Sequence, residues 1–164
     1  MNTQLHIFTN GKYDENKLDD IYLINQDNVP AVGSLESIDK LRELVSISSY
    51  HSVLLLDKNV IGFSICFREG TSYWSENYKY FTQGLKKFLY IDRIAIDHNY
   101  RRKGLGSSLY KDIFSNAKLD NLRVTAEVNT KPVNEISLNF HNHMGFMQIG
   151  ERKFKHHDVA YLIK

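Results

Sequence analysis

Arg101-Arg102-Lys103-Gly104-Leu105-Gly106 lies between a strand-like run and a helix-like run, which makes this hexapeptide a candidate phosphate cradle. Upstream, Phe88-Leu89-Tyr90-Ile91-Asp92-Arg93-Ile94-Ala95-Ile96 is rich in β-branched and aromatic residues, the composition of a buried or half-buried strand. Downstream, Leu105, Leu109, Ile113 and Phe114 recur at helical spacing, which predicts a helix from Leu105 to about Ala117. A turn that opens a helix points unpaired N–H groups outward at the positive end of the helix dipole, where an anion can be held by main chain alone. Arg101, Arg102 and Lys103 add charge suited to a pyrophosphate. The pattern lacks the Gly-Lys-Ser/Thr ending of nucleotide hydrolases and the three glycines of dinucleotide folds, and a plain strand-to-helix turn is its simplest alternative.

The second informative stretch runs from Asn134 to Phe146, with Ile136, Leu138, Phe140 and Met144 for packing and Gly145 placed to stop a helix. Asn134, Ser137 and His141 fall at i, i+3 and i+7 and so share one polar face, either along a ligand or simply in solvent. Leu122 to Val128 reads as a strand, and the strand, helix, strand order around the glycine turn implies a parallel pair. Elsewhere, Leu5 to Phe8 suggests a short strand, Asp14 a cap for a helix carrying Leu18, Ile21, Tyr22 and Ile24, and residues 35 to 47 a second helix. Val53 to Leu56 and Val60 to Ile65 read as a hairpin, the aromatic segment before residue 88 as irregular, and 146–149 with 159–163 as a closing antiparallel pair.

Arg-x-x-Gly-x-Gly after a strand, followed by Asn-x-x-Ser-x-x-Phe-His-x-x-x-Gly-Phe, resembles the two signature motifs of the GNAT superfamily of acyl-CoA-dependent N-acyltransferases. The resemblance implies an α/β fold: a mixed, mostly antiparallel sheet of six to seven strands, about four flanking helices, and a central parallel pair splayed at the acyl-CoA site. It implies one acetyltransferase domain over residues 1–164, an enzyme that moves an acetyl group from acetyl-CoA to a primary amine by direct attack on the thioester. Coenzyme contacts are then expected from Ile94, Ala95 and Ile96, from Arg101, Arg102, Lys103, Gly104, Leu105, Gly106 and Ser107, and from Asn134, Ser137 and His141. Ser-x-Asn-Tyr at 75 to 78, Phe88 to Ile94 and Glu127-Val128-Asn129 look like a bacterial subgroup of the superfamily. A non-catalytic coenzyme A-binding regulatory or sensor module on the same scaffold is the alternative.

Attack of a neutral amine on a thioester needs a route for the amine proton and for the departing thiolate. Asp92 and Glu127, one on each central strand, are the carboxylates nearest the expected reaction centre, although each could instead pair with a neighbour such as Arg93 or Arg123. Strand alternation puts Asp92 on the side of Tyr90 and Ile94. Many members of the resembling family carry tyrosine at the position of His141, so His141 is the candidate acid for the leaving sulfur, or else a hydrogen-bonding partner of coenzyme or backbone. Tyr73, Trp74, Tyr78, Tyr80 and Phe81 crowd one segment, and Tyr73, Trp74 and Tyr78 with Asp92 are the expected acceptor-binding residues. A homodimer interface or a cover over the protein's own core would account equally for those rings.

Composition narrows the rest. A net charge of +2 from 21 basic and 19 acidic residues, spread along the chain, argues against nucleic acid as partner and leaves a small-molecule or peptide amine. The lone Cys66, in an apolar run, fits a buried structural thiol, and no spacing suggests a metal. The amino terminus lacks the features of a signal peptide and no apolar run reaches membrane-spanning length, so a cytoplasmic location without membrane attachment is expected.

Overall fold

The computed structural model describes residues 3–8 and 15–164, so the expected cap Asp14 lies outside the described residues. Seven strands form one sheet in the order β1-β2-β3-β4-β5-β7-β6, with β1 Thr3–Phe8, β2 Tyr50–Leu56, β3 Asn59–Arg68, β4 Phe88–Ile96, β5 Arg123–Lys131, β6 Met147–Lys153 and β7 Asp158–Ile163. Every neighbouring pair is antiparallel except β4 with β5. The expected closing pair is present, but the last strand slides between β5 and β6, because β7 is buried along almost its whole length and needs a partner on each side. Strand β6, largely exposed, takes the edge.

Five α-helices cover the two faces: α1 Leu18–Asp27, α2 Ile38–Ile47, α3 Glu76–Gly84, α4 Leu105–Leu119 and α5 Glu135–His143. Residues of α1, α2 and α3 join Phe63, Ile65, Phe67, Phe88, Tyr90 and Tyr161 in one core layer, while α4 and α5 pack with Leu89, Ile91, Val124, Ala126, Val128 and Leu162 in the other. Cys66 is fully buried in the second layer.

Helix α3 corrects the expectation of an irregular aromatic segment. Ser75 caps it by accepting from the Tyr78 N–H at 3.0 Å, and Tyr78 and Phe81, three residues apart, both turn into the core. Tyr73 stacks flat on Phe67 with centroids 4.0 Å apart, and Tyr80 stacks on Tyr161 at 3.8 Å. The rings therefore act chiefly as a cover over the core, and of the segment's rings Trp74, 68% exposed, is the one left outside.

The Tyr80 stack has a consequence for β6. A Cβ added at Gly150 would land on the Tyr80 hydroxyl and within 2.9 Å of its Cζ, so Gly150→Ala must displace a ring wedged between strand and helix. We expect a loss of about 1–3 kcal/mol in folding stability, read from the denaturation midpoint; an unchanged midpoint would show that the Tyr80 ring is free to step aside.

Candidate active site

The parallel pair meets over three residues, Phe88 with Arg123, Leu89 with Val124 and Tyr90 with Thr125, although β4 runs on to Ile96 and β5 to Lys131. Beyond Tyr90 the two strands are no longer laddered to each other. The result is a wedge that opens toward their carboxyl ends, where both expected motifs begin. On one side the chain leaves β4 through a short turn, His98–Tyr100, and enters α4; on the other it leaves β5 and enters α5.

At the first lip Gly104 sits at φ +75° and precedes α4 without a side-chain cap. This is left-handed backbone, which favours glycine, and a Cβ added there would meet no atom within 4 Å. The space in front of Gly104 is therefore open, the first-turn N–H groups of a fifteen-residue helix face it, and Arg101, Arg102 and Lys103 are exposed beside it. Lys103 lies over the Tyr100 ring at 5.1 Å and Arg101 donates to Asn28 Oδ1 at 2.8 Å. An open, donor-lined, cationic turn of this kind fits a pyrophosphate.

At the second lip Asn134 caps α5, accepting from the Ser137 N–H at 3.1 Å. The face shared by Asn134, Ser137 and His141 turns inward: His141 is buried, whereas Ile136, expected to pack, is 86% exposed. The His141 ring is hydrogen-bonded at both nitrogens. Nδ1 donates to the Ser137 carbonyl at 2.7 Å, so Nε2 accepts from the Tyr110 hydroxyl at 2.7 Å, and burial lowers the pKa of the ring. This is a correction to its expected role as acid, because a neutral ring with its one N–H committed has no proton free for a leaving sulfur. It ties α5 to α4 on the face of the sheet opposite Asp92 and Glu127.

The two carboxylates do come together. A bulge in β4 leaves Asp92 between the pairs Ile91–Cys66 and Arg93–Ile65, which reverses the alternation beyond it. Ile94 therefore packs with Leu89 and Ile91 against α4, whereas Asp92 stays on the Tyr90 side, where Tyr73 donates to its Oδ1. The Asp92 side chain is only 7% exposed, and burial raises its pKa against the opposing pull of Arg93 and Tyr73. Arg93 Nε is 3.1 Å from Asp92 Oδ2 but is not aligned for a hydrogen bond, so this is an ion pair by distance alone. Arg93 Nη1 donates to Asn25 Oδ1 at 2.9 Å and to the Gly33 carbonyl, which fastens α1 and the α1–α2 connection to β4.

Glu127 faces the same side. Its Oε1 accepts from the Tyr90 hydroxyl at 2.9 Å and from Asn77 Nδ2 at 3.1 Å, while its buried Oε2 accepts from no protein group. Burial first, then the charge of Asp92, pushes its pKa up to about 8. Tyr73 and Tyr90, each donating to one carboxylate, have ring centroids 6.4 Å apart. Tyr78 is a core residue that meets the site by packing against Tyr73 and Tyr90, since its own hydroxyl donates to the Arg68 carbonyl at 2.6 Å. Sequence reasoning missed Tyr90, Asn77 and Tyr161. Tyr90 is two residues before Asp92 and so on its face, but Asn77 could be found only once α3 was known to be a helix.

The chain matches the model of the acetyltransferase (GNAT) family over residues 18–146, most of its length. It belongs to the GNAT acetyltransferase family. Solved structures share this GNAT fold at low identity. Ard1 from Thermoplasma volcanium superposes with a TM-score of 0.76 at 17% identity, covering 100% of this chain and 97% of that one. An N-acetyltransferase from Staphylococcus aureus Mu50 gives 0.72 at 19%, covering 100% and 98%. A GNAT family acetyltransferase from Elizabethkingia anophelis, crystallised with acetyl-CoA bound, gives 0.66 at 15%, covering 99% and 97%. No curated protein matches the chain. The expected mixed, mostly antiparallel sheet with flanking helices is present, with five α-helices among the described residues. Among the described residues no group of three or more His, Cys, Asp or Glu side chains is arranged to hold a metal, and no helix is long and apolar enough to cross a membrane.

Proposed function

We propose that this GNAT chain acts as one acetyltransferase domain over residues 1–164, moving an acetyl group from acetyl-CoA to a primary amine. The observation that carries this reading is the wedge itself, with a buried carboxylate oxygen inside that has no partner and a cationic, glycine-opened helix start at its rim. Residues 101–107 would hold the coenzyme pyrophosphate, and 94–96 with Asn134 and Ser137 would line its arm. When bound, acetyl-CoA supplies a thioester whose carbonyl carbon accepts the amine lone pair. Glu127 Oε2 would take the proton that the nitrogen loses, the carbon–sulfur bond would break so that coenzyme A leaves as its thiolate and takes up a proton from solvent, and a main-chain N–H of β4 on the side freed from β5 would be available to the carbonyl oxygen. Asp92, close enough to raise the pKa of Glu127, keeps that oxygen basic at slightly alkaline pH. We assign the acceptor, a small-molecule or peptide amine, to the side of Tyr73, which donates to Asp92, and of the exposed Trp74 next to it in the chain.

The test is release of coenzyme A thiol from acetyl-CoA across a panel of small amines and short peptides, with the full chain. Thiol release that depends on an added amine is the expected result. Tight coenzyme binding without turnover across the panel would overturn the reading in favour of a coenzyme A-binding regulatory module.

A further inference from the structure

Glu127 is not held symmetrically. Two side-chain donors, the Tyr90 hydroxyl and Asn77 Nδ2, converge on Oε1, while Oε2 is buried with no hydrogen-bond partner. An asparagine amide can ordinarily present either its oxygen or its nitrogen. Here the choice is made from behind, because the Tyr161 hydroxyl on β7 donates to Asn77 Oδ1 at 2.9 Å and so turns the amide nitrogen toward Glu127. Tyr161 is itself fully buried and pinned under Tyr80. A string of three side chains from β7, α3 and β5, joined by no sequence proximity, thus ends on one carboxylate oxygen.

We infer that Asn77 is a positioning residue, which, with Tyr161 setting its amide and Tyr90 donating beside it, holds Glu127 Oε1 so that only Oε2 is left to receive a proton. This rests on the acetyltransferase reading for the identity of the proton's source, but the geometry and its test do not. Hydrogen bonds to an ionised carboxylate favour that form, so the string draws Glu127 downward against burial and the charge of Asp92. The other titratable or charged groups that bear on Glu127 are Tyr90, Asp92 and Arg93 on β4, Tyr73 before α3, Tyr110 on α4, and Tyr161 on β7 with Arg152 of β6 behind it. None of them replaces the Asn77 donor.

The test is a pH titration of the Glu127 side-chain carboxyl by carbon-13 NMR on the full chain, which needs neither coenzyme nor acceptor. Asn77→Ala is expected to move the midpoint upward by about one pH unit, the effect of one lost hydrogen bond to a charged group. Tyr161→Phe, which keeps the ring and its stack, is expected to move it the same way by less, and it decides the matter if the alanine variant does not fold. A midpoint that stays put in folded Asn77→Ala, or in Tyr161→Phe when the alanine variant does not fold, would overturn the inference and leave Asn77 a packing residue. Thiol release measured alongside separates the two readings: a moved midpoint without turnover in any amine keeps the string and removes the acetyltransferase.

Discussion

Gly104→Asp is expected to weaken coenzyme A binding by about a hundredfold or more while the chain still folds. Two terms act in the same direction. The substitution places a carboxylate at the start of α4, where a pyrophosphate would rest, and two like charges some 4 Å apart at the rim of a protein cost about 4 kcal/mol, roughly a thousandfold before screening. It also adds a side chain to the open space in front of the turn. The fold itself has little to lose. A Cβ at this position meets no atom within 4 Å, so the cost is the left-handed backbone at φ +75°, about 1 kcal/mol for a residue as tolerant of it as Asp. Gly104→Asn isolates the charge, since it has the same shape and backbone tolerance. Calorimetric titration with coenzyme A should rank glycine above asparagine and asparagine far above aspartate. Equal affinity for the three would place the coenzyme elsewhere on the molecule.

That prediction rests on a part of the molecule that was legible without coordinates. The strand at 88–96 and the helix from Leu105 declare themselves because hydrophobic period changes from two to 3.6 across a glycine turn, and a parallel pair follows from strand, helix, strand order. What lay out of reach is where that pair parts. Periodicity reports that two strands exist; it does not report that they hydrogen-bond over three residues and then diverge, nor that a bulge at Asp92 reverses the side to which Ile94 points. Helix α3 was hidden by its composition, since Tyr, Phe and Thr favour strands and only the Ser75 cap betrays the helix. Losing α3 meant losing Asn77, and with it the string to Tyr161, 84 residues away in the chain. His141 shows the opposite failure. The motif places it correctly, but its chemistry is decided by Tyr110 on another helix and by the carbonyl one turn back.

Glu127→Gln should leave coenzyme A affinity within about twofold of the parent and lower turnover by about a hundredfold or more, the usual contribution of a general base. The amide is nearly isosteric, and its oxygen can still accept from Tyr90 and Asn77, so the walls of the site are kept. The same variant reports on stability, with a sign that burial dictates. The pKa of Glu127 stands at about 8 in the folded chain, above its ordinary value of 4.5. An acid raised on folding favours the fold fully below its unfolded pKa, and that contribution is lost as pH climbs toward 8, because ionisation then has to occur in a buried site beside Asp92. The parent should therefore lose stability relative to Glu127→Gln between about pH 4.5 and pH 8, by about 4 kcal/mol at the alkaline end, while the two have a constant difference below pH 4. Thermal melts across that range measure it. In kinetics the parent rate should rise as pH passes through about 8, beyond the rise that the acceptor's own deprotonation brings, and the glutamine variant should lack that extra limb. Parallel melting curves for parent and variant would mean that Glu127 titrates in the folded chain as it does in the unfolded one, so that burial does not raise its pKa, and parallel rate profiles would mean that the proton leaves by way of another group such as Asp92.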